Sequence, residues 1–178
     1  VSYVHNLYDG FQMLHDAVSL YEPLCDFYRA NVNEQYDQGS VPGMTTEPAL
    51  SAELLAGASS YTDTAVIVLS RFSGEGWDRS SIEYNGEYNP WETETSMPKI
   101  SGEIFPDGDF YLTKEESAMI AQVKQHFSRI AVVLNIGGII DTSWIKNDDQ
   151  ISSALIAWQG GMEGGLAAAD ILVGDVCP

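Results

Sequence analysis

The stretch TAVIVLSRFSGEGWDR, Thr64 to Arg79, decides the fold. Thr64–Leu69 is apolar without alternation and rich in β-branched residues, the pattern of a strand buried on both faces. Ser70–Arg79 then packs two arginines, a glutamate, an aspartate, a tryptophan and two glycines directly behind it. A chain that leaves a buried strand and at once presents Glu75 between Gly74 and Gly76 is building something at the strand's carboxyl end. In open parallel sheets that end is where ligands bind.

Two more runs have the same character. Ile130–Ile136 (IAVVLNI) reads as a second strand and Ala154–Trp158 (ALIAW) as a third. Helical patterns separate them. Val4, Leu7, Phe11, Leu14 and Val18 recur at steps of three and four, which predicts a first amphipathic helix. Pro23 is placed to open a second as its first residue, with Leu24, Phe27 and Tyr28 on one face. Residues 37–48 hold two glycines and two prolines and read as a loop. Ser51 is placed to cap a short helix through Ala58. Thr113-Lys-Glu-Glu116 fits a capping box and starts a helix with Ile120, Val123 and Phe127 on one face. Gly161–Val173 reads as a final helix ended by Gly174. Residues 71–111, with Pro90, Pro98 and Pro106, form a long excursion of the kind that carries function.

Apolar strands alternating with helices predict a three-layer α/β/α sandwich with a mainly parallel, flavodoxin-like sheet. The length of 178 residues fits one domain spanning 1–178. A parallel sheet ordinarily begins with a strand, whereas here a helix comes first. A further strand is therefore expected before Val1.

Charge narrows the function classes. The chain holds 26 acidic and 8 basic residues, a net charge of −18. Such a surface repels phosphate backbones and anionic lipids, which disfavours nucleic-acid and membrane partners. A neutral ligand such as a sugar is compatible with it. No apolar run nears the roughly 20 residues of a membrane span, and no signal peptide is visible at Val1. Cys25 and Cys177 read as free thiols, which leans towards a reducing, cytoplasmic compartment. The three histidines show no metal-ligand spacing, so neither a metal nor a cofactor is expected.

Reading just past each strand gives the candidate site. Arg71, Glu75 and Trp77 follow the first strand, and Asn135, Gly137 and Gly138 the second. Trp158, Gln159 and Glu163 follow the third. Aromatic faces stack on apolar sugar faces, while amides and carboxylates bond the hydroxyls. Glu75 is the candidate general acid/base, with Phe72 and Trp77 placed to desolvate its carboxyl and raise its pKa. Plainer readings stand beside these. Glu75 is then a solvated loop residue, Asp78 and Arg79 a local ion pair, and Arg71 a neutraliser of nearby acids. Glu163 in that reading faces the positive end of a helix dipole. The GGMEGG segment lacks both P-loop and dinucleotide-binding spacing, so phosphate binding is not expected.

SRFSGEGWDR, DFYLTKEE, VVLNIGG and WQGGMEGGLAAADILVGDVCP, in this order, resemble the second domain of glycoside hydrolase family 3, the β-glucosidase family. The match runs from about Asp63 to Pro178. The resemblance implies an α/β sandwich packed against a (β/α)8-type barrel that supplies an aspartate nucleophile. It implies retaining hydrolysis of β-linked glucosides or oligosaccharides, with Glu75 as general acid/base. No barrel and no S-D-W nucleophile motif occur here, and the family usually continues beyond Pro178 with a further strand. The chain is therefore expected to be part of a larger enzyme. The alternative is a non-catalytic carbohydrate-binding or domain-interaction module.

Overall fold

The computed structural model describes residues 3–14, 16–40, 43–71, 79–81, 83, 84, 86 and 99–178. In chain order the elements are α1 (Leu7–Met13), α2 (Glu22–Asp37), α3 (Ala52–Tyr61), β1 (Thr64–Arg71), α4 (Lys99–Ile104), α5 (Lys114–His126), β2 (Arg129–Ile136), α6 (Ser143–Lys146), β3 (Ile151–Ile156) and α7 (Gly164–Val173). A 3-10 turn, Gly161–Glu163, leads into α7.

Among the described residues the strands form one parallel sheet in the order β1-β2-β3. Thr64 lies beside Arg129 and Arg71 beside Ile136, without a slip. Side chains alternate across a strand, so Ile67, Leu69 and Arg71 share a face with Ile130, Val132, Leu134 and Ile136. That face is the core. Leu55 and Ala58 of α3 and Met119, Ile120 and Val123 of α5 bury against it, with Leu24, Phe27 and Tyr28 of α2 packed at its margin. On the opposite face Val133 is buried, whereas Val66 and Val68 are 40% and 43% exposed. The architecture is the α/β sandwich expected, built on a small, open, all-parallel sheet.

Local chemistry sets the element ends. Ser51 Oγ accepts from the Leu54 N–H and starts α3, which runs past Ala58 to Tyr61. Thr113 and Glu116 form the expected capping box of α5. Gly174, at φ 86°, closes α7 in the left-handed conformation that costs glycine least.

Three expectations need correcting. The first helix does not run from Val4 to Val18. An Asn6–Asp9 capping box starts it at Leu7 and it stops at Met13, which leaves Val4 exposed. Pro23 is the second residue of α2, not the first. The third strand covers Ile151–Ile156 rather than Ala154–Trp158. It is an edge strand with Ser152, Ser153 and Ala154 exposed, so its sequence lacks the apolar continuity of a central strand. Trp158 has already turned out of the sheet, at φ 54°.

The helices α1 and α7 form a second packing unit at a glycine crossing. A Cβ on Gly10 would stand 2.4 Å from the Gly165 carbonyl oxygen, and one on Gly165 would stand 2.1 Å from the Asn6 carbonyl. Only glycine lets the two backbones approach this closely.

Candidate functional site

Parallel pairing brings the carboxyl ends of all three strands to one edge. Ser70 lies beside Asn135 and Leu134 beside Ile156. Asn135 Nδ2 donates to Ser70 Oγ at 3.3 Å on the exposed face. The ends of β1 and β3 are two strand spacings apart, about 10 Å.

Arg71, the last residue of β1, points into the core face and is 4% exposed. Its Nη1 and Nη2 donate to the two carboxylate oxygens of Glu116, both at 2.7 Å. Its remaining N–H groups reach the carbonyls of Ser70, Asp109 and Tyr111 at 2.9, 3.1 and 3.0 Å. The guanidinium also lies over the Phe105 ring, 4.5 Å from its centroid. An arginine has five N–H donors, and all are engaged within the chain. Arg71 has none left to offer a ligand.

Arg79 follows the S-G-E-G segment in sequence. Its Nη1 donates to Asp109 Oδ2 at 2.8 Å, and both side chains are buried. Asp109 Oδ1 also accepts from the Ser80 N–H at 2.6 Å. The sequence offered Asp78, which lies outside the described residues, as a partner of Arg79; the structure shows Asp109 as a partner. Both arginines that bracket residues 72–78 are thus fastened to the segment Asp109–Glu116. Glu75, Trp77 and Asp78 themselves lie outside the described residues.

Trp158, Gln159 and Glu163 lie on the turn that follows β3, beyond the sheet edge. Trp158 is 55% exposed, and Gln159 is exposed. Glu163 holds the N-cap position of α7, but its side chain makes no capping bond there. Its carboxylate accepts instead from His5 Nδ1 at 2.8 Å. That bond foremost, and the nearby Tyr3 hydroxyl after it, hold its pKa below the usual carboxylate value. The same carboxylate pushes the Tyr3 phenol up.

The structure therefore gathers Trp158, Gln159 and Glu163 on one turn and places Arg71 under α5, two strands away. The sequence did not reveal Asp109, Glu116, Tyr3 or His5 as members of this edge. Glu116 was legible only as a helix cap, and His5 is 158 residues from its partner. Among the described residues no group of three His, Cys, Asp or Glu side chains could hold a metal ion.

Residues 1–178 match the model of the glycosyl hydrolase family 3 C-terminal domain. A β-glucosidase A of Butyrivibrio fibrisolvens is 49% identical over 178 residues, which are all of this chain and 21% of that protein. A β-glucosidase of Ruminococcus albus is 29% identical over an alignment covering all of this chain and 16% of that protein. A crystal structure of a β-glucosidase from Paenibacillus barengoltzii superposes with a TM-score of 0.72 at 30% identity, over 99% of this chain and 17% of that one. The chain spans about a fifth of the length of the curated relatives it matches. With the family model matched end to end and a parallel sheet whose strand ends converge on one edge, the chain belongs to glycosyl hydrolase family 3, as its C-terminal domain.

Proposed function

We propose that this domain supplies the general acid/base of a retaining β-glycosidase, with Glu75 in that role. The β-glucosidases among its relatives support glucosides as the substrate class. The observation that carries the reading is the double arginine anchor. Arg71 and Arg79, which flank residues 72–78 in sequence, are both fastened to Asp109–Glu116, at the carboxyl end of β1 where open parallel sheets bind ligands. Arg71 serves this role as scaffold. Trp158 and Gln159 form a wall of the sugar pocket beyond β3. Trp77 belongs to the same pocket.

In this mechanism Glu75 protonates the glycosidic oxygen as an aspartate nucleophile attacks the anomeric carbon. It then takes a proton from water as the glycosyl ester is hydrolysed. Retaining enzymes place their two carboxyls about 5 Å apart. The aspartate comes from a (β/α)8-type barrel elsewhere in the full-length protein.

Leaving-group dependence tests the assignment. In the full-length enzyme, Glu75→Ala is expected to lower kcat/KM for alkyl glucosides and cellobiose by about 100-fold or more, the scale of general acid catalysis. Dinitrophenyl glucoside needs no proton, so its glycosylation step should fall far less. Equal losses on both substrates would remove Glu75 from the acid role.

A further inference from the structure

The turn after β3 is tied down at two places. At its start the Ala157 N–H donates to the Leu134 carbonyl of β2 at 2.9 Å. At its end the N-terminal segment holds it. The His5 N–H donates to the Met162 carbonyl at 2.8 Å, and the Gly165 N–H donates to the His5 carbonyl at 3.1 Å. The His5 ring binds Glu163 at 2.8 Å, and the Tyr3 ring lies beside it, 4.9 Å between centroids.

Between these ties stands Trp158, at φ 54°. A bulky side chain in the left-handed region is strained and persists only where its surroundings over-determine it. The ties do that. The His5–Glu163 pair is also poorly placed to serve global stability, because its side chains are 26% and 49% exposed. Pairs that open to water contribute little to folding. What the pair does fix is the course of the turn.

We infer that His5, packed against Tyr3, is a positioning residue: it clasps Glu163 and thereby holds Trp158 in the outward conformation that meets the sugar face. This rests on the proposed role of Trp158 as a pocket wall, and the experiment separates the two. The full-length enzyme is assayed with p-nitrophenyl β-glucoside. His5→Ala removes the side-chain tie and keeps the backbone ties. It raises KM about three- to tenfold, the scale of a strained backbone conformer released, with kcat within about twofold. His5→Asn, whose amide nitrogen can take the place of Nδ1, returns KM towards wild type. Glu163→Ala gives a similar rise, and combining it with His5→Ala adds nothing further. Trp158→Ala raises KM at least as far. If KM rises in Trp158→Ala but not in His5→Ala, the clasp is wrong and the pocket wall stands. If His5→Asn rises as far as His5→Ala, ring packing rather than the bond to Glu163 is responsible, and the clasp is again wrong. An unchanged KM in Trp158→Ala would remove the wall and the clasp together.

Discussion

Arg71 stands where the strand ends and the candidate loop begins, and its environment dictates what a substitution does. It is 4% exposed, with Glu116 at 8%. A buried pair of this kind offsets its desolvation cost only when every donor is satisfied, and here every donor is. Arg71→Lys keeps the charge but offers three donors on a point charge. It cannot serve a bidentate carboxylate and three carbonyls at once. It is expected to destabilise the chain by about 3–5 kcal/mol, as is Glu116→Gln, which strands the guanidinium. Replacing both together by Met and Leu should cost less than either single change, because no buried charge is then left alone. Urea unfolding midpoints of the three variants check this; a single variant within about 0.5 kcal/mol of wild type would show the pair to be dispensable. The sequence placed Arg71 just past a strand ending at Leu69; the structure extends that strand through Arg71, whose side chain turns into the core. The sequence could not signal the partner. With 26 acidic residues in the chain, composition does not select Glu116, and only folding residue 116 against residue 71 does.

At the scale of elements, legibility followed the locality of the signal. Thr113 and Glu116 are three residues apart, so the start of α5 could be read directly, and the capping box is present. Ser51 and Gly174 worked in the same way. The third strand was misplaced because ALIAW carries more apolar weight than ISSALI, yet an edge strand needs little of it. The junction of α2, the following loop and α5 was not legible at all. There Tyr28 donates to the Glu47 carboxylate. Burial foremost, and the negative charge of Glu116 after it, push the Glu47 carboxyl above its usual value despite that bond. The sign follows. A carboxyl whose pKa is higher folded than unfolded favours the native state while it is protonated. That contribution fades as pH rises from the unfolded value, about 4.3, through the raised folded one. Glu47→Gln keeps an acceptor for Tyr28 and removes the titration. Its stability relative to wild type is expected to grow as pH rises from about 4 to 7. Thermal unfolding across that range measures it, and a constant difference between the two proteins would mean that Glu47 titrates normally.

For the whole molecule, the alternation of apolar strands with helices was enough to give a parallel α/β sandwich. The motifs were enough to give the family. The convergence of strand ends on one edge followed from the fold class, because parallel strands must all finish on the same side. What a single chain of this kind can do alone follows from its chemistry. Double displacement needs a nucleophile on one side of the anomeric carbon and an acid/base on the other, held about 5 Å apart. The proposed assignment gives this domain the second and leaves the first to the barrel. The purified 178-residue chain is therefore expected to release no glucose from aryl glucosides or cellobiose above the buffer rate. Adding the separately expressed remainder of the full-length protein should restore turnover if the two parts dock. Glucose binding to the isolated chain should be too weak to register by calorimetry at millimolar sugar, because the proposed wall of Trp158 and Gln159 would then be one side of an open pocket. Hydrolysis by the chain alone would move the nucleophile into this domain. Tight sugar binding without hydrolysis would make it a carbohydrate-binding module instead. The two outcomes separate cleanly, since one needs a second carboxyl within reach of the sugar and the other needs only the walls.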